Sequence, residues 1–139
     1  MPYCNLGRIK SMKKLTILLF SILISFSSHG GWTKIGEYTN GDSHYMDKDT
    51  IREHGGYIYW WEMQSFSKLS PGTLFLSTTS YKQGECGIHR FKVLTVNRYK
   101  KPIAKGGQFG SMDSSSEWSY PEPNTFNSLA LDTACKYTK

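Results

Sequence analysis

The apolar positions along the chain fall into three regimes. From Leu15 to Phe26 they run almost unbroken, as Leu-Thr-Ile-Leu-Leu-Phe-Ser-Ile-Leu-Ile-Ser-Phe. From Trp32 to Tyr99 short aromatic and β-branched runs alternate with polar residues and are punctuated by Gly, Asp, Pro and Ser. After Pro123 the spacing changes again. The middle regime has the period of strands, and predicts them at Trp32–Ile35, Ser43–Asp47, Tyr57–Ser65, Thr73–Tyr81 and Arg90–Tyr99. In the third run, Tyr57, Tyr59 and Trp61 fall on one face and Ile58, Trp60 and Glu62 on the other. The aromatic row reads either as core or as a partly exposed contact surface. Arg90–Tyr99 carries apolar residues on both faces, which predicts an inner strand with one face partly covered. Ser70-Pro71-Gly72 is a turn, Gly106–Gly110 a bend, and Ser111–Ser119 a polar, serine-rich loop. The last regime has helical spacing. Asn124 or Thr125 caps a helix of about 11 residues, with Phe126, Leu129, Ala130, Ala134 and Cys135 as its apolar positions. A helix this short is marginal alone in water, so it needs tertiary packing.

The first regime is not part of this domain. Lys13 and Lys14 precede the apolar run, and the small residues Ser27, Ser28, Gly30 and Gly31 follow it. That is the pattern of a secretory signal peptide, and the run is shorter than the roughly 20 residues of a bilayer span. Cleavage is expected after Gly30, which divides the chain into a leader at 1–30 and a mature domain at 31–139. Met12 suits the start of such a leader better than Met1, since Met-Lys-Lys then opens it directly. No membrane span is expected to remain after cleavage, and no cysteine follows the apolar run to take a bacterial lipid anchor.

Charge changes the picture once the leader is set aside. The whole chain carries +6 from 17 basic and 11 acidic residues. Arg8, Lys10, Lys13 and Lys14 belong to the leader, so 13 basic residues face 11 acidic ones in the mature part, a balance of +2. Nucleic-acid binding calls for a strongly basic face, and none is expected. Lys100, Lys101 and Lys105 cluster in what reads as a solvated loop.

Three cysteines are present. Cys4 leaves with the leader. Cys86 and Cys135 remain, an even count in an exported chain, and are expected to form one disulfide. It would pin the far end of the weak C-terminal helix onto the sheet.

Catalytic patterns are missing from the sequence. His44, His54 and His89 form no HExxH or HxH arrangement, and no nucleophile elbow surrounds any serine. Asp47 and Asp49 suit a turn before Asp49-Thr50-Ile51-Arg52 better than acid–base work. Gly106-Gly107-Gln108-Phe109-Gly110 lacks the strand–helix context of a phosphate loop. No enzyme, metal or cofactor is expected.

Several of these segments, in order, resemble the surface-adhesin protein E-like domains of bacterial envelopes. They are Trp32-Thr-Lys-Ile-Gly36, Tyr45-Met-Asp-Lys-Asp-Thr-Ile-Arg52, and Gly56 leading into Tyr59-Trp-Trp61. They continue with Ser77 to Cys86, Arg90 to Tyr99, the Gly106–Gly110 bend, Trp118-Ser-Tyr-Pro121, Pro123, and Leu131 to Cys135. The resemblance implies a mostly β (α+β) fold: a single antiparallel sheet of about six strands, with a C-terminal helix packed on its concave face and held by the disulfide. It further implies a non-catalytic protein of the periplasm or cell surface of a Gram-negative-type bacterium. Such a protein would bind host extracellular-matrix or serum proteins and tend to dimerise through the sheet. The competing expectation is a periplasmic small-molecule or haem binder, with His44 or His89 and the tyrosines lining a groove beneath the helix.

Overall fold

In the computed structural model of the chain, residues 31–113 and 117–137 are described. The expected leader, with Cys4, Met12 and the cut after Gly30, lies outside them, as does the centre of the serine-rich loop. Six strands form one sheet in sequence order: β1 Trp32–Glu37, β2 Ser43–His54, β3 Tyr57–Ser65, β4 Ser77–Glu85, β5 Arg90–Tyr99 and β6 Gln108–Asp113. Every neighbouring pair is antiparallel. One helix follows, α1 Phe126–Tyr137. The expected single sheet with a C-terminal helix is therefore the fold.

Strand boundaries differ from expectation by more than two residues at three places, each with a local cause. β2 runs on to His54 instead of turning at Asp49. The ladder to β3 slips between Asp47 and Arg52. There Asp47 Oδ1 accepts from the Asp49 N–H at 3.2 Å and Thr50 Oγ1 donates to the Asp47 carbonyl at 3.0 Å, so the polar residues make a bulge inside the strand. β4 begins at Ser77, because the β3–β4 connection spends Thr73 on two bonds to the Ser70 carbonyl. β6 occupies Gln108–Asp113, where Gly and Ser gave no strand signal. Its pairing comes from the β5 edge, from Thr95↔Asp113 to Tyr99↔Gln108.

The core lies between α1 and the concave face. Met46, Ile58, Trp60 and Phe91 from β2, β3 and β5 meet Ala130, Leu131 and Ala134 from the helix, all buried. Two glycines make room for this contact. A Cβ at Gly84 would stand 2.7 Å from both Leu131 Cδ1 and Trp60 Cζ3, and one at Gly36 would overlap the Phe126 ring. Small residues on the helix and glycines on the strands thus let backbone approach backbone. Thr125 caps α1: its Oγ1 accepts from the Ser128 N–H at 3.3 Å. The buried helical face differs from the expected one in one residue. Leu131 is fully buried, whereas Leu129 is 43% exposed. With about 3.6 residues per turn, Leu129 falls opposite the stripe centred on Ala130, Leu131 and Ala134.

Cys86, in the β4–β5 turn, is joined to Cys135 in the last turn of α1, with Cα atoms 5.8 Å apart across 49 positions. Closing a loop of that length is worth about 4 kcal/mol in the chain-entropy picture.

Candidate functional site

Two surfaces concentrate chemistry, one on each face of the sheet. The first is a groove on the concave face, just beyond the end of α1 that carries Phe126. Strand alternation puts Glu62 on the same face as Trp60, and the β3–β4 register places Trp60 opposite Lys82. Glu62 and Lys82 are almost wholly buried, and Lys82 Nζ sits 2.8 Å from Glu62 Oε2. The other carboxylate oxygen accepts from Trp60 Nε1 at 2.7 Å. Lys82 also donates to Asn127 Oδ1 of α1 at 3.1 Å and lies 4.7 Å above the Phe91 ring. Both charges are therefore matched within the protein, as buried ions must be.

His44 stands beside this pair, with its Nε2 3.9 Å from Glu62 Oε2. Its ring stacks on Phe126 with centroids 4.9 Å apart, and Tyr38 meets Phe126 edge-on at 4.4 Å. Burial pushes the His44 pKa below its ordinary 6.5, opposed by Glu62 and reinforced by Lys82. Its Nδ1 is buried with no hydrogen-bond partner. These side chains, with Gln64, Thr78 and Ser80, line a hollow of about 330 Å³. His44 thus lines a groove, at the Phe126 end of α1 and not beneath the helix. His89 does not: it sits in the β4–β5 turn, its Nε2 2.8 Å from Asp132 on the exposed side of α1. Among the described residues, no group of three or more His, Cys, Asp or Glu is placed to hold a metal ion.

The second surface is the convex face. Here Tyr59, Trp61 and Tyr81 are half-buried, with Trp61–Tyr81 centroids 4.9 Å apart and Tyr59–Tyr81 6.0 Å. Arg52 donates to the Tyr81 hydroxyl at 3.0 Å. The row continues to Tyr57, stacked on Trp118 at 5.8 Å. Arg90 and Lys92 lie over the Trp118 ring at 4.1 and 4.4 Å. Trp118 is brought there by an isolated bridge between Phe91 and Ser119. The aromatic row thus packs ring on ring and stays half-buried. Sequence reading missed the Glu62–Lys82 pair. Its signal was a carboxylate on the strand face that also carries Ile58 and Trp60.

Comparison with known proteins bears on the whole of this architecture. The sequence model of the surface-adhesin protein E family matches residues 32–136. A search of curated protein sequences finds no match. Among solved structures, the crystal form II structure of Haemophilus influenzae protein E is similar at 14% identity and a TM-score of 0.60, covering 79% of this chain and 91% of that one. Protein E from non-typeable Haemophilus influenzae is similar at 13% identity and a TM-score of 0.55, covering 79% of this chain and 78% of that one. At such identities the structural likeness concerns the fold.

Proposed function

We propose that this chain, which belongs to the surface-adhesin protein E family, is an exported, non-catalytic envelope protein that binds another protein through its convex aromatic row. Residues 1–30 are taken as a leader lost on export, and 31–139 as the working domain. The observation that carries the reading is the half-buried set Tyr59, Trp61 and Tyr81, bordered by Arg52 and continued by Trp118 under Arg90 and Lys92. Aromatic rings held rigid by stacking lose little freedom on binding, and Tyr, Trp and Arg are the residues that anchor protein interfaces. Host extracellular-matrix and serum proteins are the partners the family suggests. A second copy meeting the same row would give the dimer.

The test is saturable binding of the protein to immobilised laminin, vitronectin and plasminogen at physiological salt, with sedimentation velocity alongside. Trp61→Ser and Tyr59→Ser should each weaken binding tenfold or more, and Leu129→Ser on the opposite face should not. Binding that ignores both substitutions would sink the reading. Dimers abolished by Trp61→Ser, without any host ligand bound, would assign the row to self-association.

A second reading is favoured by His44, whose buried Nδ1 points to a small polar ligand in the concave groove. Haemin is one probe. A visible spectrum unchanged on titration, together with an unshifted His44 ring resonance, removes the haem form.

A further inference from the structure

Three hairpin connections lie at the end of the sheet away from the disulfide: β1–β2, β3–β4 and β5–β6. The segments 66–76 and 98–109 carry Lys68, Arg98, Lys100, Lys101 and Lys105 and not one Asp or Glu. None of these five cations takes part in the ion pairs found among the described residues. Two carboxylates stand nearby, and both are engaged. Asp42 accepts from the Ser67 N–H at 2.8 Å, and Glu37 pairs with Lys34 at 2.7 Å. The lysines that read as a solvated loop are therefore part of a wider cationic end.

Large apolar side chains project from the same place. Leu74 is 78% exposed, Leu69 56%, Ile103 45% and Phe109 39%. Ile103 is held there by its backbone. Ile103 and Ala104 have φ of 57° and 53°. That region is disfavoured for any residue with a Cβ, and for a β-branched one it is an outlier. Two buried serines from the sheet clamp it. Ser77 Oγ donates to the Lys101 carbonyl at 2.6 Å and accepts from the Ala104 N–H at 2.9 Å, while Ser65 Oγ accepts from the Ile103 N–H at 3.2 Å. Beneath Leu74, Phe75 packs on Phe66 and Phe109 at 6.0 and 6.3 Å, with Arg98 5.4 Å above its ring. Strain of this kind persists only where the surroundings over-determine it, and it marks functional positions.

We infer that this loop end docks on the anionic phospholipid surface of the cell envelope. Leu74, Leu69 and Ile103 enter the headgroup–acyl boundary, and Lys68, Lys100, Lys101 and Lys105 meet the lipid phosphates. The occupant is chosen by charge and shape together. Scattered apolar tips on separate loops give a protein partner no continuous pocket, but a fluid interface accepts them. Five cations without an ion-pair partner among the described residues, against the Asp42 carboxylate and a Glu37 already paired with Lys34, are complementary to a negatively charged membrane. The contact is independent of the convex row.

The test is co-sedimentation of the protein, purified from the envelope of expressing cells with its disulfide formed. The vesicles are phosphatidylcholine alone, and phosphatidylcholine mixed with phosphatidylglycerol. Every variant carries the same N-terminus, so any contribution of residues 1–30 cancels. Binding should be stronger to the phosphatidylglycerol vesicles and should fall as salt rises. The triple variant Lys100→Gln, Lys101→Gln, Lys105→Gln should lose on the order of tenfold to a hundredfold at low salt. Leu74→Ser with Ile103→Ser should weaken binding several-fold while keeping its salt dependence. Melting curves confirm folding, since all five positions are exposed. Equal sedimentation with both vesicle types, none with either, or no loss in the triple variant overturns the proposal. So would binding abolished by a soluble protein ligand of the convex row.

Discussion

At the end of the sheet that carries Cys86, the apolar side chains of the strands point inward, and Ile88 in the β4–β5 turn is the exposed exception. Ile58, Trp60 and Phe91 are covered by Leu131 and the alanines of α1, and a disulfide holds the helix down. At the opposite end the arrangement is reversed. Leu69, Leu74 and Ile103 face solvent, and the loops are held by polar groups, chiefly Ser65 and Ser77 on the loop backbone. The difference shows how a small sheet with one helix divides its work. One helix cannot cover a six-stranded face, so the covered part supplies stability and the rest remains surface. The groove at His44 marks the boundary, where the core ends in a matched ion pair rather than in more apolar packing.

Removing the disulfide breaks the comparison most sharply. Cys135→Ser should lower unfolding stability by about 4 kcal/mol in denaturant titration, leaving either a sheet with a frayed C-terminus or no fold. A loss below about 1 kcal/mol would mean that packing alone anchors the covered end. Next in size is a matched pair of leucines. Leu131→Ala should cost about 2–5 kcal/mol through the cavity it leaves. Leu74→Ala at the loop end should stay within about 0.5 kcal/mol. Similar losses for both would erase the distinction between the ends.

Ser77→Ala probes the polar clamp. It strands the Ala104 N–H and the Lys101 carbonyl, and should cost about 1–3 kcal/mol. Faster hydrogen exchange should be confined to residues 101–105. The smallest effect concerns pH. Burial lowers the His44 pKa, while Glu62 and Lys82 act in opposite directions on it. Above the ordinary value of 6.5, folded and unfolded states are both neutral there, and the group contributes nothing. As pH falls through 6.5 the unfolded chain takes the proton first, so stability drops. The decline levels off once the folded imidazole also titrates. The denaturation midpoint should therefore fall with pH in the native chain and fall less steeply in His44→Gln.

Much of the closed end was legible in the sequence because it depends on local pattern. Tyr57–Ser65 announced both its faces by alternation, and the helix its existence by spacing and by Thr125. Its face was misread at one residue, because Phe126, Leu129 and Ala130 also fit a helical stripe. The choice of Leu131 was made by Gly84 on a strand 47 positions away. β6 was not legible: a Gly- and Ser-rich edge strand takes its pairing from its neighbour, not from its own side chains. The Glu62–Lys82 pair depends on β3–β4 register, which single-chain periodicity leaves open. The lysines of the β5–β6 loop were visible, but not that folding sets them beside Leu69 and Leu74 from another loop.

The most direct measurement is amide hydrogen exchange on the oxidised protein and again after reduction of Cys86–Cys135. In the oxidised state, β2, β3 and β4 beneath α1 should exchange slowest, and the loop residues 66–76 and 100–107 should exchange faster than these strands. On reduction, protection should collapse in α1 and fall in the strands it covers, while the loop end changes little. Helix protection unchanged by reduction, or loops as protected as the core, would contradict the division of the molecule into one closed, stabilising end and one open, contact-making end.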